Sequence, residues 1–239
     1  LGAALDDNDV RSLLASYGID LTPTSRVASL EEAVAAAETC GWNVVLKATA
    51  ERLRHRADLA HVWRSIDDAD DMAAAWWHLA GLIDDPADAA FVVQPMAAPG
   101  VPVAIGSVED ALYGPLVSFG MAGTPSDLLG DVSYRIPPLT ESDAAELVRE
   151  VRAAPVLFGY RGAEEVDVGC IEELVLRLAQ LKDDLPDVQL LNLDLVLAGA
   201  QGAAVLRAEG RVAPGQDTRS DWLTRRLAGP SCSTDTLPT

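Results

Sequence analysis

The sequence predicts an α+β protein folded as two lobes, and three observations carry that reading. Short apolar runs of the kind buried strands need, at residues 44–46 and 91–93, alternate with stretches whose apolar residues keep helical spacing. A proline- and glycine-rich joint at residues 95–100 separates two halves that each have such strands and helices, which sets lobes at residues 8–94 and 95–213 and a mostly disordered tail at 214–239. With 239 residues, 49% of them apolar and 23% charged, the chain is long enough for this.

Val10, Leu13, Leu14 and Tyr17 keep helical spacing before Gly18, so residues 8–17 read as a short amphipathic helix. A brief strand is expected at Val27. Ser29 and Glu32 then offer a capping box for an alanine-rich helix over 30–40, ended by Gly41. The strand with Lys47 follows, then the loop RLRHRAD, then an edge strand over 60–66. Asp67, Asp68, Asp70 and Asp71 read as the dipole-complementing start of a helix over 71–82. Strands are expected at 91–95, the last residue being proline, and at 101–108 beyond the joint. A further strand over 113–120 runs into the small-residue loop 121–126, followed by Asp127 and Asp131. Helices are expected over 141–153, opened by Thr140, and over 168–182, and between them Gly159-Tyr-Arg-Gly162 sets an arginine in a loop. In the strand 188–198 a period of two puts Asn192 and Asp194 on one face, with Leu191, Leu193, Leu195 and Leu197 on the other. Gly199–Gly202 turns the chain into a last strand, 203–208, and residues 221–227 form a short amphipathic piece in the tail.

Composition excludes several classes. Eighteen basic against thirty-seven acidic residues give a net charge of −19, which repels nucleic acid and anionic membrane. No apolar run reaches the roughly 18–20 residues of a membrane span. Cys40, Cys170 and Cys232 are odd in number and far apart, which suggests neither a disulfide framework nor a zinc site and fits a reducing cytoplasm. The opening Leu-Gly-Ala suggests a piece of a longer polypeptide with partner domains elsewhere.

Against that acidic background VVLKATAERLRHRAD keeps a local positive site. Lys47 stands where a buried strand gives out, and His55 lies among three arginines; such a site wants phosphate or carboxylate. The bland readings are a snorkelling lysine and a surface histidine. His61 and His78 are read as structural, and Arg135 and Arg161 as salt-bridged surface residues or phosphate contacts. Asn192 and Asp194 are either a solvated strand face or a pair of oxygen ligands.

The segments LLASYGI, GWNVVLKA, HRAD, VVQPMAAPGV, LYGPLVSFG, LLGDVSYRIPPLT, RAAPVLFGYRG and LNLDLVLA, taken in this order, resemble the ATP-grasp domain of the NDP-forming acyl-CoA synthetases, the ADP-forming acetate–CoA ligase family. The resemblance covers about residues 8–213, and order and spacing carry it more than any one segment. It implies an ATP-grasp fold that clamps ATP or ADP with Mg²⁺ between two lobes. With CoA-binding and succinyl-CoA-ligase-like domains, on the same or a partner chain, such proteins interconvert acyl-CoA, ADP and phosphate with acid, CoA and ATP through acyl phosphate and phosphohistidine. Actinobacterial members are often fused to an acetyltransferase domain. By resemblance Lys47 holds ATP phosphates, His55 carries the phosphoryl group, Gln94, Met96, Asp127 and Arg161 line the nucleotide cleft, and Asn192 and Asp194 hold the metal.

The chain also departs from the family. His55-Arg-Ala-Asp58 replaces HKSD, and Ala60-His61 stand where two glycines are usual. Pro102 and Asp127 occupy glutamate positions, and Asn192-Leu-Asp194-Leu195 exchanges the order of acid and amide in the family's Asp-x-Asn-Pro strand. An ATP-grasp component of the synthetase is therefore set beside two other readings. One is a degenerate module that regulates a fused acyltransferase with weak or no turnover. The other is a scaffold without ligand.

Overall fold

The structure, a computed structural model, describes residues 2–49, 62–83, 90–110, 112–123 and 128–214. In chain order the elements are β1 (Ala3–Ala4), α1 (Asp7–Ser16), β2 (Ser25–Val27), α2 (Leu30–Cys40), β3 (Val44–Ala48), β4 (Val62–Ile66), α3 (Ala69–Ala80), β5 (Phe91–Pro95), β6 (Val101–Asp110), β7 (Gly114–Met121), β8 (Val132–Arg135), α4 (Glu141–Glu150), α5 (Val168–Asp184), β9 (Val188–Gly199) and β10 (Gly202–Val212). Two 3-10 turns, Ala154–Phe158 and Tyr160–Gly162, lie between α4 and α5.

The helices begin where short polar side chains close their first turns. Asp6, Ser29, Asp68, Thr140 and Asp167 each accept a backbone N–H at the start of α1, α2, α3, α4 and α5. The acidic run thus becomes the cap and first turn of α3, which starts two residues before the expected 71. The capping box expected at Ser29 is half formed, because the Glu32 carboxylate accepts from Ala28 N (2.8 Å) instead. Thr140 and Asp143 form a complete one. The helix expected over 141–153 stops at Glu150. Val151 turns extended there, and the Asp131 carboxylate holds the bend by accepting from Arg152 N (2.8 Å) and Ala153 N (3.0 Å).

Two antiparallel sheets follow. The larger has the order β1-β10-β9-β6-β7-β8 and the smaller β2-β5-β3-β4, with β4 at an edge as its weak alternation predicts. Helices α2 and α3 cover one face of the small sheet over a core that includes Val44, Leu46, Met72, Trp76, Phe91 and Val93. Helices α4 and α5 cover one face of the large sheet, where Ile105, Phe119, Leu147, Ile171, Leu178 and Leu193 form a second core. Val10, Leu14 and Ile19 join that second core, and Thr22 N donates to Val205 O (2.8 Å). From β2 onward the strands divide between the sheets at the proline- and glycine-rich joint, but the packing of α1 crosses that line. The physical reason is its apolar stripe, which fits the large sheet's helical layer.

The joint passes from β5 to β6 and ends tightly. A Cβ on Gly100 would come within 2.6 Å of the Ala198 carbonyl oxygen, so the backbone of β9 leaves room for glycine alone. Gly100→Ala should cost about 1–3 kcal/mol, the range for overpacking that shifts backbone. A lower urea midpoint at unchanged slope is the expected readout, and an unchanged midpoint contradicts the contact.

Candidate functional site

The site starts from β3. Val44, Leu46 and Ala48 face the helical layer, which leaves Val45 and Lys47 on the opposite face. Antiparallel pairing with β5 sets Val45 opposite Gln94 and Lys47 opposite Val92, so Lys47 and Gln94 share that face. The Lys47 ammonium donates to Gln94 Oε1 at 2.5 Å. Gln94 is 1% exposed, and its Nε2 donates to the Leu206 carbonyl of β10 at 3.1 Å. The amide thus joins the two sheets and aims its oxygen at the lysine.

Burial lowers the Lys47 pKa, and the positive charges of Arg64 on β4 and Arg207 on β10 lower it further. A lysine lowered in the fold binds fewer protons than its unfolded counterpart between the folded value and the ordinary 10.5. Its cost to stability is therefore fully present below the folded value and is relieved as pH rises through that window. The stability of the wild type relative to Lys47→Met should accordingly rise with pH toward 10.5. Urea unfolding of both proteins across the alkaline range measures it, and a difference that does not change with pH contradicts it.

Across from Lys47 lies the uncovered face of the large sheet. Leu191 and Leu193 are buried while Asn192 and Asp194 are half-buried, so the amide and the carboxylate share a face. The alternation expected beyond them fails. Val196 and Ala198 are buried, whereas Leu195 and Leu197 are only half-buried. The cause is a bulge: Val103 pairs with Val196 but Ile105 with Leu193, so β9 spends one residue more than β6 at Asp194–Leu195. The β10 pairing is irregular at the same level, between Val205 and Glu209. Here Arg207 Nε donates to Asp194 Oδ2 at 3.3 Å. Burial raises the Asp194 pKa, Arg207 pulls it down and Glu209 pushes it up. On β6, a Cβ at Gly106 would meet Asn192 Oδ1 and Ser118 Oγ at 2.8 Å each, so glycine there makes room for the asparagine.

The other expected site residues are placed as follows. Met96 is half-buried and its N–H donates to Asn43 O at 2.9 Å. Arg161 is exposed, holds a left-handed φ of 58°, and lies 5.5 Å from the ring of its neighbour Tyr160. Arg135 pairs with Glu150 at 2.6 Å and Glu146 at 3.7 Å, and His78 packs edge-on against Trp63. His55, Asp58, His61, Asp127, the tail from 215 onward and Cys232 lie outside the described residues. Arg64 and Arg207 were not singled out from sequence. Counting outward from the Gly199–Gly202 turn would set Arg207 opposite Asp194, but the pairing slips on either side of Arg207 and sets it opposite Leu195, so the side-chain bond to Asp194 is not a plain register pair.

The arrangement has the chemistry of an anion site, with Lys47 and Arg64 of the small sheet and Arg207 of the large one close enough for the arginines to act on the lysine's charge. Its fit to Mg²⁺ is poor. That ion takes oxygen ligands in near-octahedral geometry and relies on carboxylates. Here Asp194 is already paired with a guanidinium, and among the described residues no group of three or more His, Cys, Asp or Glu side chains could hold a metal.

Comparison with known proteins agrees with the fold. The family model for the ATP-grasp domain matches residues 2–212, and the chain belongs to the ATP-grasp family. Within it, the chain is the ATP-grasp part of an NDP-forming acyl-CoA synthetase, matching β subunits of ADP-forming acetate–CoA ligases. It is 28% identical over 214 residues to the β subunit of ADP-forming acetate–CoA ligase II of Pyrococcus furiosus, covering 87% of this chain and 91% of the subunit. To ADP-forming acetate–CoA ligase I of Archaeoglobus fulgidus it is 33% identical over 198 residues, or 81% of this chain, and the match spans 29% of that longer protein. Among solved structures, an acetyl-coenzyme A synthetase of Ca. Korarchaeum cryptofilum in complex with coenzyme A, Ca-AMPCP and HgCl+ superimposes with a TM-score of 0.77 at 30% identity, covering 88% of this chain and 93% of that one. Another structure of that protein, with coenzyme A and Mg-AMPPCP and its phosphohistidine segment pointing towards the nucleotide site, gives a TM-score of 0.72 at 30% identity over the same shares of the chains.

Proposed function

We propose that the cleft between the two sheets binds the phosphates of ATP or ADP, with Lys47 and Arg207 as the charged contacts, Arg64 adding to the local positive field and Gln94 holding the lysine in place. The observation that carries this is the Lys47–Gln94–Leu206 connection, which sets a half-buried ammonium beside two arginines in a chain of net charge −19. A desolvated ammonium kept charged against such neighbours has most to gain from an anion. The lobes of this reading are the small sheet with α2 and α3, and the large sheet with α1, α4 and α5.

The synthetase reading extends to His55 as the phosphoryl carrier, Asp127, Met96 and Arg161 as further cleft residues, and CoA-binding and succinyl-CoA-ligase-like partner domains in the cytoplasm. It is supported by the Korarchaeum structures with coenzyme A and a phosphohistidine segment, and by relatives that are β subunits or parts of longer proteins. No helix among the described residues is long and apolar enough to cross a membrane. A fused acetyltransferase remains an expectation of the resemblance alone. Neutral imidazole is a competent nucleophile toward a γ-phosphate held in line: the Nε2 or Nδ1 lone pair forms the N–P bond as the bond from phosphorus to the bridging oxygen breaks and ADP leaves.

Incubating the chain and its partner domains with γ-labelled ATP tests the reading. Label on His55, absent from His55→Ala, is expected. Tight nucleotide binding with no label on His55 in any combination contradicts the carrier role and leaves a nucleotide-binding module.

A further inference from the structure

We infer that Arg207 takes the place of a divalent cation in this cleft, so that the site holds the polyphosphate of ATP or ADP without metal. The inference rests on the nucleotide reading above and deepens it. A metal in such a site has two tasks: it draws on protein carboxylate on one side and neutralises phosphate oxygens on the other. Arg207 is built for both. Its Nε is bonded to Asp194 Oδ2 at 3.3 Å, the carboxylate a metal would need. A guanidinium carries five N–H donors in a planar fork suited to phosphate. Among the described residues only Nε is drawn into a bond, and the side chain is 69% exposed, so the remaining donors are open to a ligand.

Position supports the same role. Leu206, the preceding residue, receives the Gln94 amide that also holds Lys47, so Arg207 and Lys47 are tied to one locus from opposite sheets. The irregular pairing of β9 and β10 there shifts the two strands locally and accompanies the approach of Arg207 to Asp194. The pair adds little to stability, because its Arg207 side is 69% exposed and screened by solvent while Asp194, at 22%, bears a desolvation cost. A divalent ion entering the cleft would have to displace Arg207 from Asp194 while standing near Lys47 and Arg64, and like charges oppose that. Asn192 still faces the cleft and supplies a neutral donor and acceptor to a ligand.

Calorimetric titration of ATP into the full chain, in EDTA and in excess Mg²⁺, tests the inference with the wild type and Arg207→Gln. Arg207 is exposed enough for the variant to fold, and thermal unfolding without ligand checks that it does. The wild type should bind in EDTA within about threefold of its affinity in Mg²⁺, and Arg207→Gln should lose about tenfold or more in EDTA, the scale of one charged contact to phosphate. Wild-type binding that is tenfold or more tighter with Mg²⁺, or Arg207→Gln binding unchanged in EDTA, overturns the inference and leaves the nucleotide site standing. Absence of binding in both buffers overturns the nucleotide reading, and the inference with it.

Discussion

Lys47→Ala should remove about half or more of the stabilisation that ATP gives to the wild-type chain. A ligand that binds only the folded state at a hundredfold excess over its dissociation constant adds about 2.7 kcal/mol. The lost contact is a charge-assisted bond from a half-buried ammonium, worth about 1.5–3 kcal/mol, or roughly ten- to a hundredfold in affinity. At the same ATP concentration the variant should therefore keep about 1.4 kcal/mol of that stabilisation after a tenfold loss and about 0.4 kcal/mol after a hundredfold loss, with a correspondingly smaller rise in melting temperature. Without ATP the change should be modest. Alanine removes a desolvated charge while leaving Gln94 bonded to Leu206, and these effects oppose each other. Equal ATP-induced shifts in the two proteins would show that phosphate does not meet β3.

Glu109→Ala should be among the most damaging single changes to the fold itself. Lys182, in the last turn of α5, has a fully buried side chain whose Nζ lies 2.6 Å from Glu109 Oε2 and 2.6 Å from the Val188 carbonyl. Removing the carboxylate leaves an ammonium in the large lobe's interior with one backbone acceptor. Stranding a buried charge in this way costs about 3–5 kcal/mol, with the lower end expected because Glu109 keeps 23% exposure. Adding Lys182→Met should recover most of the loss, since methionine fills the lysine stem's volume without a charge. Urea unfolding of the two single variants and the double variant gives the coupling directly. A Glu109→Ala loss under about 1 kcal/mol would mean that the ammonium finds water instead.

Much of this was legible in the chain because local rules agreed with the final packing. The Lys47 strand reads as a strand since Val44, Val45 and Leu46 are buried on both faces of a central position in the small sheet. The caps at Ser29, Asp68 and Thr140 act within three residues of themselves, so sequence suffices to see them. What escaped was set by partners distant in sequence. β1 is two alanines whose strand character comes wholly from pairing with β10, and β8 is an edge strand formed against β7. Asn192 and Asp194 could be placed on one face by alternation, but the bulge just beyond them depends on β6 and β10. Arg207 was missed for the same reason. In β10, beside Glu209 and Arg211, it reads as one solvated charge among several, and only its side-chain bond to Asp194 across the irregular pairing and the Gln94 bridge beside it give it a role.

The most direct measurement of the account is hydrogen exchange of the full chain with and without ATP. A phosphate held between Lys47 and Arg207 ties the small sheet to the large one, so amides of β3 and β5 and of the β9–β10 hairpin around Asp194 and Leu206 should gain protection together. Loss of that paired protection in Lys47→Ala is also expected. Protection confined to one sheet, or ATP binding that leaves both of these regions unchanged, would contradict the cleft proposed here.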